Sequence, residues 1–349
     1  MSTIAPPVAA KTMMATEAAE APRRIERLLA ENEALVRALA SRLNRHRPRM
    51  VMTCARGSSD HAATYAQYLS HVHLGIPAMS LPPSIASVYG SEVDLRGVLF
   101  VLISQSGQSP DLIAAGSWAA RHGAHVVALV NTEGSPVAEV AHDVLPLHAG
   151  PEISVAATKT FLASMAAGAQ LVSALSGDRD FASAVAMIPT VLASALERDW
   201  SGAIAALGAS HSAFVIGRGI GIAASAEMAL KLKETSAIHA ESVSSAEILH
   251  GPLGLLSDDM PVFVIGQNDA ALPSIVAIAE NLREKGARVF TAFDGPSEAT
   301  ALPIEPHLHP IVAPLAMVQS FYLMANTLAL SRGLDPDRPM HLRKITETN

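Results

Sequence analysis

The run Ser104-Gln105-Ser106-Gly107-Gln108-Ser109 places three hydroxyls between an apolar stretch and a helix-like one. Hydroxyls and the free N–H groups of a helix start are neutral donors suited to an anion such as a phosphate. Gly107 lets the backbone approach such a group closely. A second turn, Gly57-Ser58-Ser59, also follows an apolar stretch and precedes a helical one, so it can face the same crevice. One loop of this kind alone reads better as serines capping a helix; two of them shift the reading toward an anion site. Neither has the glycine and lysine spacing of a Walker A loop or a dinucleotide fingerprint, so a nucleotide is not indicated. Farther along, Lys231 and Glu234 are three apart and share a helix face, and Glu241, Glu247 and His250 follow closely. By themselves Lys231, Lys233 and Glu234 fit a solvated face with weak ion pairs. Near a bound sugar phosphate, a carboxylate and an imidazole would instead move protons between adjacent carbons and open a pyranose ring.

Short apolar runs must carry these loops. The pattern predicts strands over Met50–Cys54, Val98–Ile103, His125–Val130, Ala213–Ile216, Val262–Ile265 and Arg288–Ala292. Helical periods cover Asp60–Leu69, Asp111–Arg121, Ile222–Glu234 and Pro273–Lys285. Strands rich in Val, Leu and Ile alternating with amphipathic helices indicate α/β units around a buried parallel sheet. One common shift carries Arg56-Gly57 onto Arg218-Gly219 and Phe100–Ile103 onto Val262–Ile265, with Gln105 landing on Gln267. One further residue of offset carries Gly123–Val126 onto Gly286–Val289. The unit is therefore duplicated. Ser104, Ser106 and Ser109 become Gly266, Asn268 and Ala271, so the hydroxyls persist in one half only. Between the halves, Lys159 to Leu207 shows three helical patterns, broken at Gly177-Asp178 and at Pro189.

Composition narrows the class. Half of the 349 residues are hydrophobic and 16% are charged, against ~25% in typical domains. That excludes disorder. A net charge of −7 lacks the basic balance of a nucleic-acid binder. Cys54 is the sole cysteine, so no intramolecular disulfide forms. The start MSTIAPPVAAKTMM has no signal-peptide pattern. Val312 to Leu330 is apolar but carries Pro314, Gln319, Ser320, Asn326 and Thr327, and reads as a buried helix rather than a membrane span. A cytoplasmic protein is expected. The pairs His71/His73 and His307/His309 lack a carboxylate or cysteine framework at ligand spacing, so no metal and no cofactor is expected.

On Ser104–Ser109, Glu152-Ile153-Ser154-Val155-Ala156-Ala157-Thr158-Lys159, Ala229–Glu234 and His250-Gly251-Pro252-Leu253, the chain resembles a known family. It is similar to the isomerase portion of glucosamine-6-phosphate synthase and its stand-alone relatives, which carry two sugar-isomerase (SIS) domains in tandem. The likeness runs from Met14, Glu17, Glu20 and Pro22 to Lys344. It implies an α/β fold of two tandem SIS domains, each a three-layer αβα sandwich around a parallel sheet. The expected division is a loose tail over 1–21, a first, sugar-phosphate-binding domain over 22–176, a helical linker over 177–200 and a second domain over 201–349 with a catalytic C-terminal tail.

By the same resemblance, Ser104, Gln105, Ser106 and Ser109 would bind the sugar phosphate, with Ser59 and Val155 lining the pocket. Glu234 would move a proton between C1 and C2, assisted by Lys231; His250 would open the ring, reaching the site from the neighbouring subunit of a homodimer; Lys344 would contact the open-chain sugar or form an imine with it. The chain has Ala157 where synthases often have Ser, and Leu249 where they have Lys. With Met14 so near the start, no glutaminase domain is expected, which points to deamination: glucosamine 6-phosphate to fructose 6-phosphate and ammonia. The same acid–base set would serve a fructosyl-amino-acid 6-phosphate deglycase or a galactosamine-6-phosphate deaminase. A non-catalytic sugar-phosphate sensor would need the hydroxyl loop but not Glu234, His250 and Lys344 together. A subunit served by a separate glutaminase is a further reading. No nucleic-acid or membrane partner is expected.

Overall fold

The computed structural model describes residues 12–295 and 300–344. Among these, nine strands form two sheets in which every pairing is parallel. The first holds β1 (Met50–Cys54), β2 (Ala78–Ser80), β3 (Val98–Ser104), β4 (His125–Val130) and β5 (Asp143–Pro146), in the order β2-β1-β3-β4-β5. The second holds β6 (Ser212–Gly217), β7 (His239–Ser244), β8 (Pro261–Ile265) and β9 (Arg288–Ala292), in the order β7-β6-β8-β9. The duplication is therefore one of topology as well as sequence: in each lobe the chain steps outward once, then crosses to the other side of its first strand.

The helices, in chain order, are α1 (Met13–Glu31), α2 (Glu33–Arg45), α3 (Ser58–Leu69), the short α4 (Ser84–Ser87), α5 (Pro110–Arg121), the short α6 (Pro136–Glu139), α7 (Lys159–Ser176) and α8 (Arg179–Ala195). They continue with the short α9 (Ile204–Gly208), α10 (Ile222–Ser236), α11 (Leu272–Glu284) and α12 (Ala313–Ser331). They cover both faces of each sheet, as continuous apolar strands such as the fully buried β3 require. One apolar core runs from Val101 of the first sheet through α1, α7 and α8 to α12 and Phe263 of the second. Separate clusters on the outer faces centre on Trp118 and on Leu282. Because the lobes share that core, α3 and α10 are held against each other at the lobe boundary.

Residues 12–21 are not a loose tail. The Thr12 hydroxyl accepts from the Ala15 N–H and caps α1, whose Met14, Ala18, Ala21, Ile25 and Leu28 recur at steps of four and three and are fully buried. The expected tail's remainder, 1–11, lies outside the described residues. Pro189 does not break a helix either: α8 runs through it, because Ala184, Val185, Ile188, Val191 and Leu192 keep one buried face. α12 is long and apolar enough to cross a membrane, but it lies inside the core. Two of its polar residues make hydrogen bonds there: Gln319 Nε2 donates to the Ala18 carbonyl at 3.0 Å and Ser320 Oγ to the Ala195 carbonyl at 2.8 Å.

Candidate active site

In the first lobe the connections leave β1 and β3 in opposite directions, which opens a crevice at their carboxyl ends. A cleft of about 340 Å³ fills it, within the ~300–1,000 Å³ range of small-molecule sites. Ser59, Ser104, Gln105, Ser106, Ser109, Val155, Glu234 and Lys344 all line it. The starts of three helices meet there: Ser58 and Ser59 open α3, Ser109 immediately precedes α5 and Thr160 belongs to the first turn of α7. Helix starts carry partial positive charge, so the cleft suits an anion.

The hydroxyl loop is braced so that its donors stay available. Ser104 Oγ accepts from the Gly107 N–H at 3.0 Å and Ser106 Oγ from the Gln108 N–H at 3.2 Å. Each hydroxyl thus uses a lone pair on the loop and keeps its O–H to donate. Gly107 sits at φ 65°, and a Cβ there would lie 2.0 Å from Ser135 Oγ, so only glycine fits. Arg56, also lining the cleft, pairs with buried Asp111 at 2.7 Å and ties the first turn to the start of α5.

The second lobe has the same switch point, but among the described residues its crevice is filled by side chains. Gln267 Nε2 donates to the Arg218 carbonyl and the Asp269 carboxylate, both at 2.9 Å, and its Oε1 lies 2.5 Å from where a Cβ on Gly221 would be. About 20 Å³ remains beside Gly266, Gln267 and Asn268. Loss of the hydroxyls and filling of the crevice go together.

What the second lobe contributes comes from α10. Glu227, Lys231 and Glu234 follow one face of it, and only Glu234 reaches the cleft. Lys231, expected to assist Glu234 in proton transfer, is fully buried behind it. Its Nζ donates to Glu234 Oε2 at 2.5 Å and to Ser58 Oγ at 3.0 Å, and lies 3.3 Å from Glu227 Oε1. Glu227 also accepts from Tyr322 Oη at 2.9 Å and from Ser58 Oγ at 3.2 Å, and meets His61 Nδ1 at 3.2 Å. Burial alone would lower the Lys231 pKa, but the charges of Glu227 and Glu234 outweigh it and hold the ammonium above the ordinary lysine range. Burial would raise Glu227, but the Lys231 charge and the His61 and Tyr322 contacts hold its carboxyl below the usual range. Burial, then Glu227, keeps the Tyr322 phenol protonated far above its ordinary value.

Beside the cleft, Glu152 is buried and accepts from Thr158 N–H at 3.0 Å, Thr160 N–H at 3.1 Å and Thr160 Oγ1 at 2.7 Å. Lys344 Nζ donates to Glu152 Oε2 at 2.9 Å and to the Ser154 carbonyl at 2.7 Å, which brings the C-terminal segment over the cleft. His250 is not with the others. It stands exposed at the end of the short turn Glu247–His250 and does not line the cleft of its own chain. Sequence reasoning left out Glu227, His61, Tyr322, Arg56 and the carboxylate of Glu152 as site members, and offered Ser58 only as part of the turn Gly57-Ser58-Ser59. Glu227 had a signal, being four before Lys231 and seven before Glu234 on one helix; Tyr322 had none. His309 pairs with Asp180 at 3.4 Å, and among the described residues no group of three or more His, Cys, Asp or Glu is arranged to hold a metal ion.

The SIS domain family matches residues 46–174 and 207–330, one segment in each lobe. The glutamine–fructose-6-phosphate aminotransferase of Thermococcus kodakarensis is 32% identical over 346 residues, covering 95% of this chain and 57% of that protein. The chain spans about half the length of the curated relatives it matches, corresponding to their isomerase portion. A solved structure from Silicibacter pomeroyi, put forward as a phosphosugar isomerase, is 42% identical with a TM-score of 0.89, covering 93% of this chain and all of that one. The glucosamine-6-phosphate deaminase of Thermotoga maritima, 20% identical with a TM-score of 0.78 over 97% of this chain and all of that one, shares the fold. The chain belongs to the SIS domain family, with two such domains in tandem.

Proposed function

We propose that the chain is a phosphosugar isomerase acting on a 2-amino-sugar 6-phosphate, converting glucosamine 6-phosphate to fructose 6-phosphate and ammonia. The observation that carries this is one cleft shared by the hydroxyl loop Ser104–Ser109, the Glu234 carboxylate and the Lys344 ammonium. The loops of the first lobe take the phosphate through neutral donors and helix starts. With the ring open, Glu234 takes the C2 proton of the 2-amino aldehyde and returns it to C1, leaving an imine at C2 and a hydroxymethyl at C1. Water adds at C2, ammonia leaves, and the ketose phosphate remains. Lys231 orients Glu234 from behind. Lys344 lies where it can contact the open-chain oxygens. His250 of a second copy supplies the ring-opening group, so the working unit is a homodimer.

Two features favour this reading over its rivals. A non-catalytic sensor has no use for a cleft-facing Glu234 backed by the buried charges Lys231 and Glu227, which are costly to desolvate. Supply of ammonia from glutamine by a thiolate is not open to this chain's own residues, because Cys54 is buried in β1 and burial pushes its thiol up to about 12. The names of the more similar relatives, glutamine–fructose-6-phosphate aminotransferase and phosphosugar isomerase, agree with a sugar-phosphate substrate. The test supplies purified protein with glucosamine 6-phosphate in one tube and fructose 6-phosphate with glutamine in another. Ammonia and ketose phosphate in the first support the reading, and activity confined to the second overturns it.

A further inference from the structure

The N-terminal helix α1 does not line the cleft, yet its Glu17 is connected to it in two steps. Glu17 is buried, and its Oε1 and Oε2 accept from the Ile153 N–H at 2.5 Å and the Ser154 N–H at 3.2 Å. Those amides belong to the turn that carries Val155 into the cleft wall. The same turn supplies both partners of Lys344 Nζ, the Glu152 carboxylate and the Ser154 carbonyl. It is also tied to the C-terminal segment, since the Val155 N–H donates to the Asp337 carbonyl at 3.1 Å. The Asp337 carboxylate in turn accepts the N–H groups of Met13 and Met14, at 2.8 and 2.7 Å, at the start of α1. A carboxylate placed near a second buried carboxylate, Glu152, is an expensive way to stabilise a helix. Burial first, and Glu152 next, push the Glu17 carboxyl above its ordinary range, with the two amides opposing.

We propose that Glu17 is a positioning residue. By accepting two adjacent amides it sets the turn 152–155, and that turn fixes both the cleft wall at Val155 and the place of the Lys344 ammonium. The proposal rests on the reading of Lys344 as a substrate contact given above. Only a carboxylate presents two acceptors here; an amide has one oxygen and would turn an NH₂ against the second backbone N–H.

The test combines Glu17→Gln and Lys344→Ala, singly and together, with kcat and KM for glucosamine 6-phosphate and amide hydrogen exchange over the segment 150–158. Glu17→Gln is expected to lower kcat/KM by about tenfold to a hundredfold, the scale of a small misplacement at a site. Exchange should quicken in 150–158 while β3 and β4 keep their protection. In the Lys344→Ala background, Glu17→Gln should cost no more than about twofold further, because the two act on one contact. Unchanged exchange in 150–158, or a full multiplicative loss on top of Lys344→Ala, overturns the proposal. If Glu17→Gln does not fold, Glu17→Asp, which keeps the charge on a shorter stem, is read by the same measurements. A fully active Lys344→Ala would overturn the reading of Lys344 instead, while the exchange result still judges Glu17.

Discussion

Lys231 Nζ and Glu234 Oε2 lie 2.5 Å apart, three residues along α10, and only the carboxylate faces the cleft. The lysine is closed off by Ser58 of the first lobe and Glu227 of its own helix. The carboxylate is therefore oriented by a group that itself cannot reach a ligand. The arrangement exists only because α3 and α10 pack together across the lobe boundary.

Removing the charge behind that pair should show in stability before activity is considered. Glu227→Gln leaves Lys231 buried with one carboxylate fewer, a loss of about 3–5 kcal/mol at neutral pH for a broken buried pair. The folded-state pKa of Glu227 lies below its unfolded value of 4.5, so its contribution is present above that value and is lost as pH falls through the folded pKa. Urea unfolding at pH 7 and below pH 4.5 should therefore show the gap between wild type and variant narrowing in acid. A gap that stays constant or widens would contradict the ion-pair account.

The phosphate loop makes a separate prediction. Ser106→Ala removes one hydroxyl donor to a charged group, about 1.5–3 kcal/mol, so sugar-phosphate affinity should fall by roughly tenfold to a hundredfold. Asn268→Ala, at the corresponding place in the second lobe, should leave affinity unchanged. Calorimetric titration of both variants with glucosamine 6-phosphate checks the asymmetry.

Cys54 is buried, and its thiol is pushed up to about 12 by burial, with Asp111 adding to the effect. It should resist a thiolate-directed reagent in the native protein and react promptly once unfolded. Timed labelling followed by mass spectrometry measures the contrast, and prompt native labelling would show that β1 is more open than its packing implies.

The fold was legible where burial writes itself into composition. Strands β1, β4 and β9 coincide with their apolar runs because both faces are covered. β2 has three residues, and β7 exposes His239 and Glu241 at a sheet edge, so neither produces a continuous apolar run. α1 was obscured by Ala and Pro, and its buried Glu17 and half-buried Glu20 gain meaning only from partners far along the chain, at Ile153 and Lys159. The cleft's hydroxyls were legible because they lie in one short segment. The row behind Glu234 was not, since Ser58, His61 and Tyr322 come from distant helices that meet only in the folded lobe boundary.

The central claim is that Glu234 moves a proton between C1 and C2 of a sugar whose phosphate is held by the first lobe. Its most direct test is to give the protein glucosamine 6-phosphate deuterated at C2 and follow the label in the ketose phosphate. The account predicts ammonia release with part of the deuterium carried to C1, while Glu234→Gln still binds the sugar phosphate but turns over at least about a hundredfold more slowly. Undiminished turnover in Glu234→Gln, or product formed with neither transfer nor exchange of the C2 label, would contradict it.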